Sequence, residues 1–189
     1  MDTRYEMRFT GSGGQGVILA SVILAEAAVL AGVNAVQSQS YGPEARGGMC
    51  KAETVLSRHT IWFPKVIRPN FLLCLTQAAL DQYAGCLAEN AVVLVDDSLH
   101  VPEALPGEQV LPLPILRTAS ETVGKAMTAN IVSVGAINTL LGLFDREIMA
   151  EAVRRHIPAG TETLNMKALA AGEALVNTAT AVRFRQSIA

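Results

Sequence analysis

The sequence predicts an α/β fold: a single-domain, Rossmann-like three-layer sandwich with a largely parallel sheet, spanning residues 1–189. Three observations carry this reading. Strand-like and helix-like segments alternate along the chain, which is the pattern of strands connected by crossover helices. A glycine turn, Gly11-x-Gly13-x-x-Gly16, stands between the first strand candidate and the first helix candidate. Two continuous apolar runs, FLLCLT (Phe71 to Thr76) and AVVLVDD (Ala91 to Asp97), have the composition of strands buried on both faces. The length suits one such domain with its own core, and no repeat, low-complexity tract or linker divides it.

The elements follow in order. Tyr5 to Thr10 reads as a strand with Tyr5, Met7 and Phe9 on one face. A helix from about Gln15 to Ala31 is apolar nearly all round, so it is covered on more than one side; Gly32 stops it. Asn34 to Gln39 and Met49 to Ser57 read as the second and third strands. Between them Ser40 to Gly48, SYGPEARGG, is rich in turn formers and too polar for a core. A helix over Gln77 to Glu89 follows the first apolar run. Pro102, Pro106, Pro112 and Pro114 mark an irregular stretch with room for one short strand. Helices are expected at about Ala119 to Met127, Asn130 to Leu143, Asp145 to His156 and, last, Met166 to Val182. The small residues of NIVSVG (Asn130 to Gly135) imply close packing against the sheet or against another chain.

Half of the residues are hydrophobic and 17% are charged, against roughly 25% charged in an ordinary domain. So little charge points to a subunit that buries surface against partners, and to a homo-oligomer when the chain is isolated. Net charge is −2 with no basic run, which argues against a nucleic-acid partner. Val17 to Val33 falls short of the ~20 residues of a membrane span and holds Glu26 in its middle, so no membrane partner is expected. The first ten residues carry charges and no apolar signal core. Cys50, Cys74 and Cys86 contain no Cys-x-x-Cys, and His59, His100 and His156 are equally scattered. Neither set has the spacing of an iron–sulfur or zinc site, so no metal ligands are assigned. The expected setting is reducing cytoplasm.

Chemistry concentrates in two places. A glycine turn at a helix N-terminus aims backbone N–H groups at one point, where an anion is stabilised. A dinucleotide site also needs an Asp or Glu at the end of the second strand for the ribose hydroxyls. Here that strand ends in Val36, Gln37, Ser38 and Gln39, and the first acid afterwards is Glu44. A plain NAD site is therefore disfavoured. Another phosphate or pyrophosphate group, a partner's loop, or glycines that merely let the helix approach the sheet remain open. In the second place, Arg46 lies before Gly47-Gly48 with Lys51 nearby. It is suited to clamp a carboxylate or phosphate bidentately, or it is an ordinary surface arginine.

The segments GSGGQGVILAS, VQSQSYGPEARGG, KAETVLS, FLLCLTQAALDQY and LNMKALAAGEAL together resemble the gamma subunit of the 2-oxoacid:ferredoxin oxidoreductases, in the family's order and over nearly the whole chain. The Ser-Tyr-Gly-Pro-Glu-Ala-Arg-Gly-Gly stretch is most similar to the 2-oxoglutarate type; its Arg-Gly-Gly core is shared with the indolepyruvate type. The resemblance implies a complex that decarboxylates a 2-oxoacid oxidatively, with coenzyme A as acyl acceptor and ferredoxin as electron acceptor. Alpha and beta subunits, and in some members delta, are the implied partners. Thiamine diphosphate and the iron–sulfur clusters are implied on those chains; this one has no Gly-Asp-Gly followed by paired asparagines, and no cluster-type cysteine set. The chain is not expected to be active alone, and no catalytic residue is assigned to it. By resemblance, coenzyme A contact falls to Gly11, Ser12, Gly13, Gly14, Gln15 and Gly16, and to Ser40, Tyr41, Gly42, Arg46, Gly47, Gly48 and Lys51. A stand-alone nucleotide-binding oxidoreductase, a purely structural assembly chain, and a gamma-type subunit for indolepyruvate, pyruvate or a branched-chain 2-oxoacid are the alternatives.

Overall fold

Six strands make one sheet: β1 (Tyr5–Ser12), β2 (Asn34–Tyr41), β3 (Met49–Ser57), β4 (Phe71–Cys74), β5 (Val92–Asp96) and β6 (Val110–Leu113). Their order across the sheet is β2-β3-β1-β4-β5-β6. The computed structural model describes residues 4–41, 49–103, 105 and 109–188. β1, β4, β5 and β6 pair in parallel, whereas β3 runs antiparallel between β2 and β1. Five of the six strands thus point the same way, and the sheet is mixed and mostly parallel. Sequence patterning does not reveal the reversed strand, because β3 is buried over Ala52–Ser57 and a buried strand reads the same in either direction.

The helices are α1 (Val17–Leu30), α2 (Gln77–Tyr83), α3 (Ile115–Arg117), α4 (Ala129–Leu141), α5 (Arg146–His156), α6 (Glu162–Ala174) and α7 (Thr178–Ile188). They cover the two faces unequally. Met7, Phe9, Phe71, Leu73, Val92 and Leu94 turn to one side and pack with the buried residues of α1, α4, α5, α6 and α7. Leu72, Cys74, Val93 and Val95 turn to the other, where Leu80 and Tyr83 of α2 meet them. The period-2 alternation of a strand produces this division. α1 is covered on several sides as its composition requires. Its Thr54-facing side meets β3 through the Thr54 Oγ1 hydrogen bond to the Ser21 carbonyl, 3.1 Å. Its mid-helix Glu26 takes Arg155 of α5 at 3.0 Å.

NIVSVG lies in α4, whose close packing is with α6. A Cβ on Gly135 would fall on the Leu169 carbonyl, and one on Gly172 would fall on the Val132 carbonyl. The two glycines let the backbones approach from both sides.

Three helix expectations change. The helix after β4 ends at Tyr83 rather than Glu89. The expected helix over Ala119 to Met127 is instead the short α3, a π-helical segment Thr118–Val123, and a 3₁₀ turn Ala126–Thr128. Gly124, at φ 92°, separates the last two. The last helix is two, broken between Ala174 and Thr178; Asn177 Oδ1 accepts the Thr180 N–H at 2.8 Å and so starts the second.

Candidate functional site

The glycine turn closes the carboxyl end of β1, and its glycines serve different needs. At Gly11 a Cβ would lie 2.5 Å from Oε1 of Gln15, so this glycine makes room for the glutamine side chain. Gly14 has φ 99° and open space about it; its backbone conformation, not crowding, requires glycine. Gly16 has φ 71°, caps α1, and would place a Cβ 2.7 Å from Asn130 Nδ2. Ser12 and Gly13 are half-buried beside them, and Gly14 is exposed.

α1 carries the chain from β1 toward β2 on one side of the sheet, and α2 carries it from β4 toward β5 on the other. The carboxyl ends of β1 and β4 therefore form the switch point, where open α/β sheets hold ligands. Here Gln15 spans that crevice. Its Oε1 accepts the Ser12 N–H at 2.7 Å, and its Nε2 donates to the Leu75 carbonyl beyond β4 at 3.2 Å. The side chain supplies an acceptor and a donor to two strand ends that would otherwise need water. The dinucleotide arrangement is also absent for a second reason. The neighbour of β1 on that side is the start of antiparallel β3, with Met49 opposite Ser12, so no parallel second strand places an acid next to the turn.

Beside the turn lies a cavity of about 560 Å³ lined by Gly14, Gln15, Leu116, Arg117, Ser120, Glu121, Ala126 and Met127, within the range of small-molecule pockets. The acids that end β5 hold two of its lining residues in place. Buried Asp96 accepts the Leu116 N–H at 2.8 Å through Oδ2, and the Ser98 N–H at 3.1 Å through Oδ1. Asp97 takes Arg117 at 2.9 Å. The π-helical segment adds Ser120 and Glu121. Sequence reasoning singled out Gly14 and Gln15 but not the lining residues from Leu116 to Met127, because a π-helical turn has no periodic signature. The one available signal was the pair of acids closing a buried strand.

Ser40 is exposed at the end of β2 and opposite Lys51. Tyr41 pairs with Cys50, one step from the Ser12–Met49 pair. Both stems of the hairpin thus stand on the same edge as the glycine turn. Gly42, Arg46, Gly47 and Gly48 lie outside the described residues. Lys51 has a partner of its own: its ammonium is 3.2 Å from Glu53, which also holds the buried Arg8 at 2.8 Å. Arg8 in turn donates to the Val66 carbonyl at 2.9 Å and sits 5.2 Å from the centre of the Tyr83 ring.

Cys74 is buried beneath this edge, and burial pushes its thiol up to about 12, which keeps it protonated and inert. Among the described residues no group of three His, Cys, Asp or Glu side chains is placed to hold a metal ion. Among the same residues no helix is long and apolar enough to cross a membrane.

Residues 6–175 match the pyruvate ferredoxin/flavodoxin oxidoreductase family model. The chain is 46% identical over 172 residues to the 2-oxoglutarate synthase subunit KorC of Methanocaldococcus jannaschii, covering 89% of this chain and 92% of that one. A crystal structure of the keto/oxoacid ferredoxin oxidoreductase gamma subunit from Geobacter sulfurreducens superposes with a TM-score of 0.81 at 42% identity, covering 91% and 95% of the two chains. The 2-oxoglutarate:ferredoxin oxidoreductase of Magnetococcus marinus, solved with 2-oxoglutarate, coenzyme A and succinyl-CoA bound, contains the same fold. It superposes with a TM-score of 0.82 at 20% identity, covering 93% of this chain and 31% of that longer one. On the extent of these matches, the chain belongs to the pyruvate ferredoxin/flavodoxin oxidoreductase family, in its gamma-subunit form.

Proposed function

We propose that this chain is the gamma subunit of a 2-oxoglutarate:ferredoxin oxidoreductase, and that within the complex its carboxyl-edge cleft contacts coenzyme A. The 2-oxoglutarate assignment rests on the likeness to the methanogen subunit. The observation that carries the coenzyme A reading is the sharing of one sheet edge by the glycine turn, the 560 Å³ cavity and the two stems of the Arg46 hairpin. Thiamine diphosphate and the iron–sulfur clusters belong to the alpha and beta subunits, or to a delta subunit, and ferredoxin draws electrons from the complex through them. The chain by itself is colourless and inactive.

The chemistry divides along the cleft. Coenzyme A carries a pyrophosphate and a 3′-phosphate, and the first turn of α1 offers backbone N–H groups beside the open Gly14. The 3′-phosphate falls to Arg46, whose planar fork suits a phosphate better than an ammonium does; Lys51 is drawn toward Glu53. An acid at the end of β2 would repel that phosphate, and the strand ends in Gln39, Ser40 and Tyr41 instead. Glu121 makes the π-helical wall unsuited to phosphate and suited to the neutral amide portion of the ligand.

The test is Arg46→Ala in the reconstituted complex. Loss of one charge-assisted contact, about 1.5–3 kcal/mol, raises the KM for coenzyme A roughly 10- to 150-fold, with the 2-oxoacid KM and the assembly state unchanged. Arg46→Lys recovers part. Failed assembly assigns the arginine to an interface, and unchanged kinetics with intact assembly refute the ligand role.

A further inference from the structure

The segment joining β3 to β4 displays its large apolar side chains outward. Trp62 is 88% exposed, Ile67 64% and Phe63 51%, all within six residues. Apolar side chains at this exposure are ordinary when scattered, but a cluster of them marks an interaction site. The segment is also fixed in place. Arg4 donates to the Phe63 carbonyl at 2.8 Å, Arg8 to the Val66 carbonyl at 2.9 Å, and Asn34 to the His59 carbonyl at 3.2 Å. Val66 turns inward and is buried. The irregular chain is therefore held in one shape from below, and little ordering cost remains to be met on binding.

Its charge has one sign. Arg58, Lys65 and Arg68 are exposed, and no Asp or Glu occurs between Thr54 and Leu80. Among the described residues none of these three cations has a carboxylate partner. Exposed tryptophan with flanking arginine is the composition of an interface centre. The basic rim selects an acidic surround.

We propose that residues 58–68 are a docking surface for another subunit of the oxidoreductase complex, one that presents an apolar pocket ringed by carboxylates. This rests on the gamma-subunit reading above. A permanent subunit fits better than a transient electron carrier. Redox encounters are small in area, and a tryptophan this exposed on a fixed segment favours lasting burial. A second copy of this chain would bring basic rim against basic rim.

Trp62 is the single tryptophan of the chain, and it supplies the readout. The chain is labelled with 5-fluorotryptophan and assembled with its unlabelled partner subunits. The fluorine resonance is expected to shift and lose its solvent-isotope response on assembly, and to stay unchanged when the isolated chain is concentrated. Trp62→Ser is expected to keep the wild-type melting temperature and to weaken assembly at least 30-fold. Lys65→Glu with Arg68→Glu weakens it further at low salt than at high salt. Val182→Ser, an exposed apolar site on α7, leaves assembly unchanged. Assembly with the fluorine still in solvent, or with wild-type affinity in both the Trp62 and the charge-reversed variants, overturns the docking surface while leaving the gamma-subunit reading intact. A fluorine shift on concentrating the chain alone overturns it in favour of a second copy. Failure of the wild-type chain to join any partner refutes the gamma-subunit reading itself.

Discussion

Gln15→Leu removes both hydrogen bonds across the β1–β4 crevice without changing the side chain's bulk much. The Ser12 N–H then loses its 2.7 Å acceptor and the Leu75 carbonyl its 3.2 Å donor. Ser12 is half-buried, so water reaches its freed N–H and the loss there stands near about 1 kcal/mol. Leu75 is buried, so its freed carbonyl costs about 1–3 kcal/mol. The sum is about 2–4 kcal/mol. For a chain of this size each kilocalorie shifts Tm by roughly 2–4 °C, so a drop of ~4–16 °C is expected by differential scanning calorimetry of the isolated chain. Gln15→Glu separates the two bonds. Its carboxylate still accepts from Ser12, but its second oxygen opposes the Leu75 carbonyl. In the reconstituted complex the same carboxylate beside the glycine turn raises the coenzyme A KM more than leucine does. A leucine variant that melts within 1 °C of wild type would show that the glutamine does not hold the strand ends, and the clasp would have to be abandoned.

Four further outcomes are expected. Gly172→Ala forces a methyl onto the Val132 carbonyl, overpacking the α4–α6 contact by about 1–3 kcal/mol, read as a lower urea midpoint with unchanged m. Thiol reagents at pH 8 modify exposed Cys86 first and leave Cys74 untouched until denaturant is added, because burial holds that thiol up to about 12. The same raised value makes the Cys74 contribution to stability decline from the unfolded thiol pKa, about 8.5, upward to about 12. The pure chain shows no 2-oxoacid oxidation and no visible absorbance, while addition of the partner subunits restores turnover.

The sequence made some parts of this molecule readable and hid others for identifiable reasons. β4 and β5 were legible because uninterrupted apolar runs have no other use in a chain of this length. α1 was legible because Gly16 and Gly32 bracket it. The order of the sheet was not, since the pairing of β3 with both β1 and β2 is a long-range choice that local patterning does not encode. The stretch from Ala119 to Met127 reads as one helix because Ala119, Glu121, Lys125, Ala126 and Met127 favour that state. Asp96 fixes the Leu116 N–H just before the π-helical segment, a tertiary contact that spacing does not encode. At the site, the glycine turn was placed correctly on its strand and helix. Gln15 is the instructive case: its place in the motif suggested ligand contact, and the structure uses it to tie β1 to the segment after β4. Nothing in the spacing distinguishes those uses, because the partner is a backbone carbonyl sixty residues away.

Hydrogen exchange of the assembled complex with and without coenzyme A addresses the carboxyl-edge cleft most directly. Binding there is expected to slow exchange of backbone amides at residues 13–19, at the hairpin stems 39–41 and 49–51, and along 116–127, with no change in α5, α6 or α7. Coenzyme A that saturates the complex while leaving all three cleft segments exchanging at their ligand-free rates would contradict the placement of the ligand on this subunit.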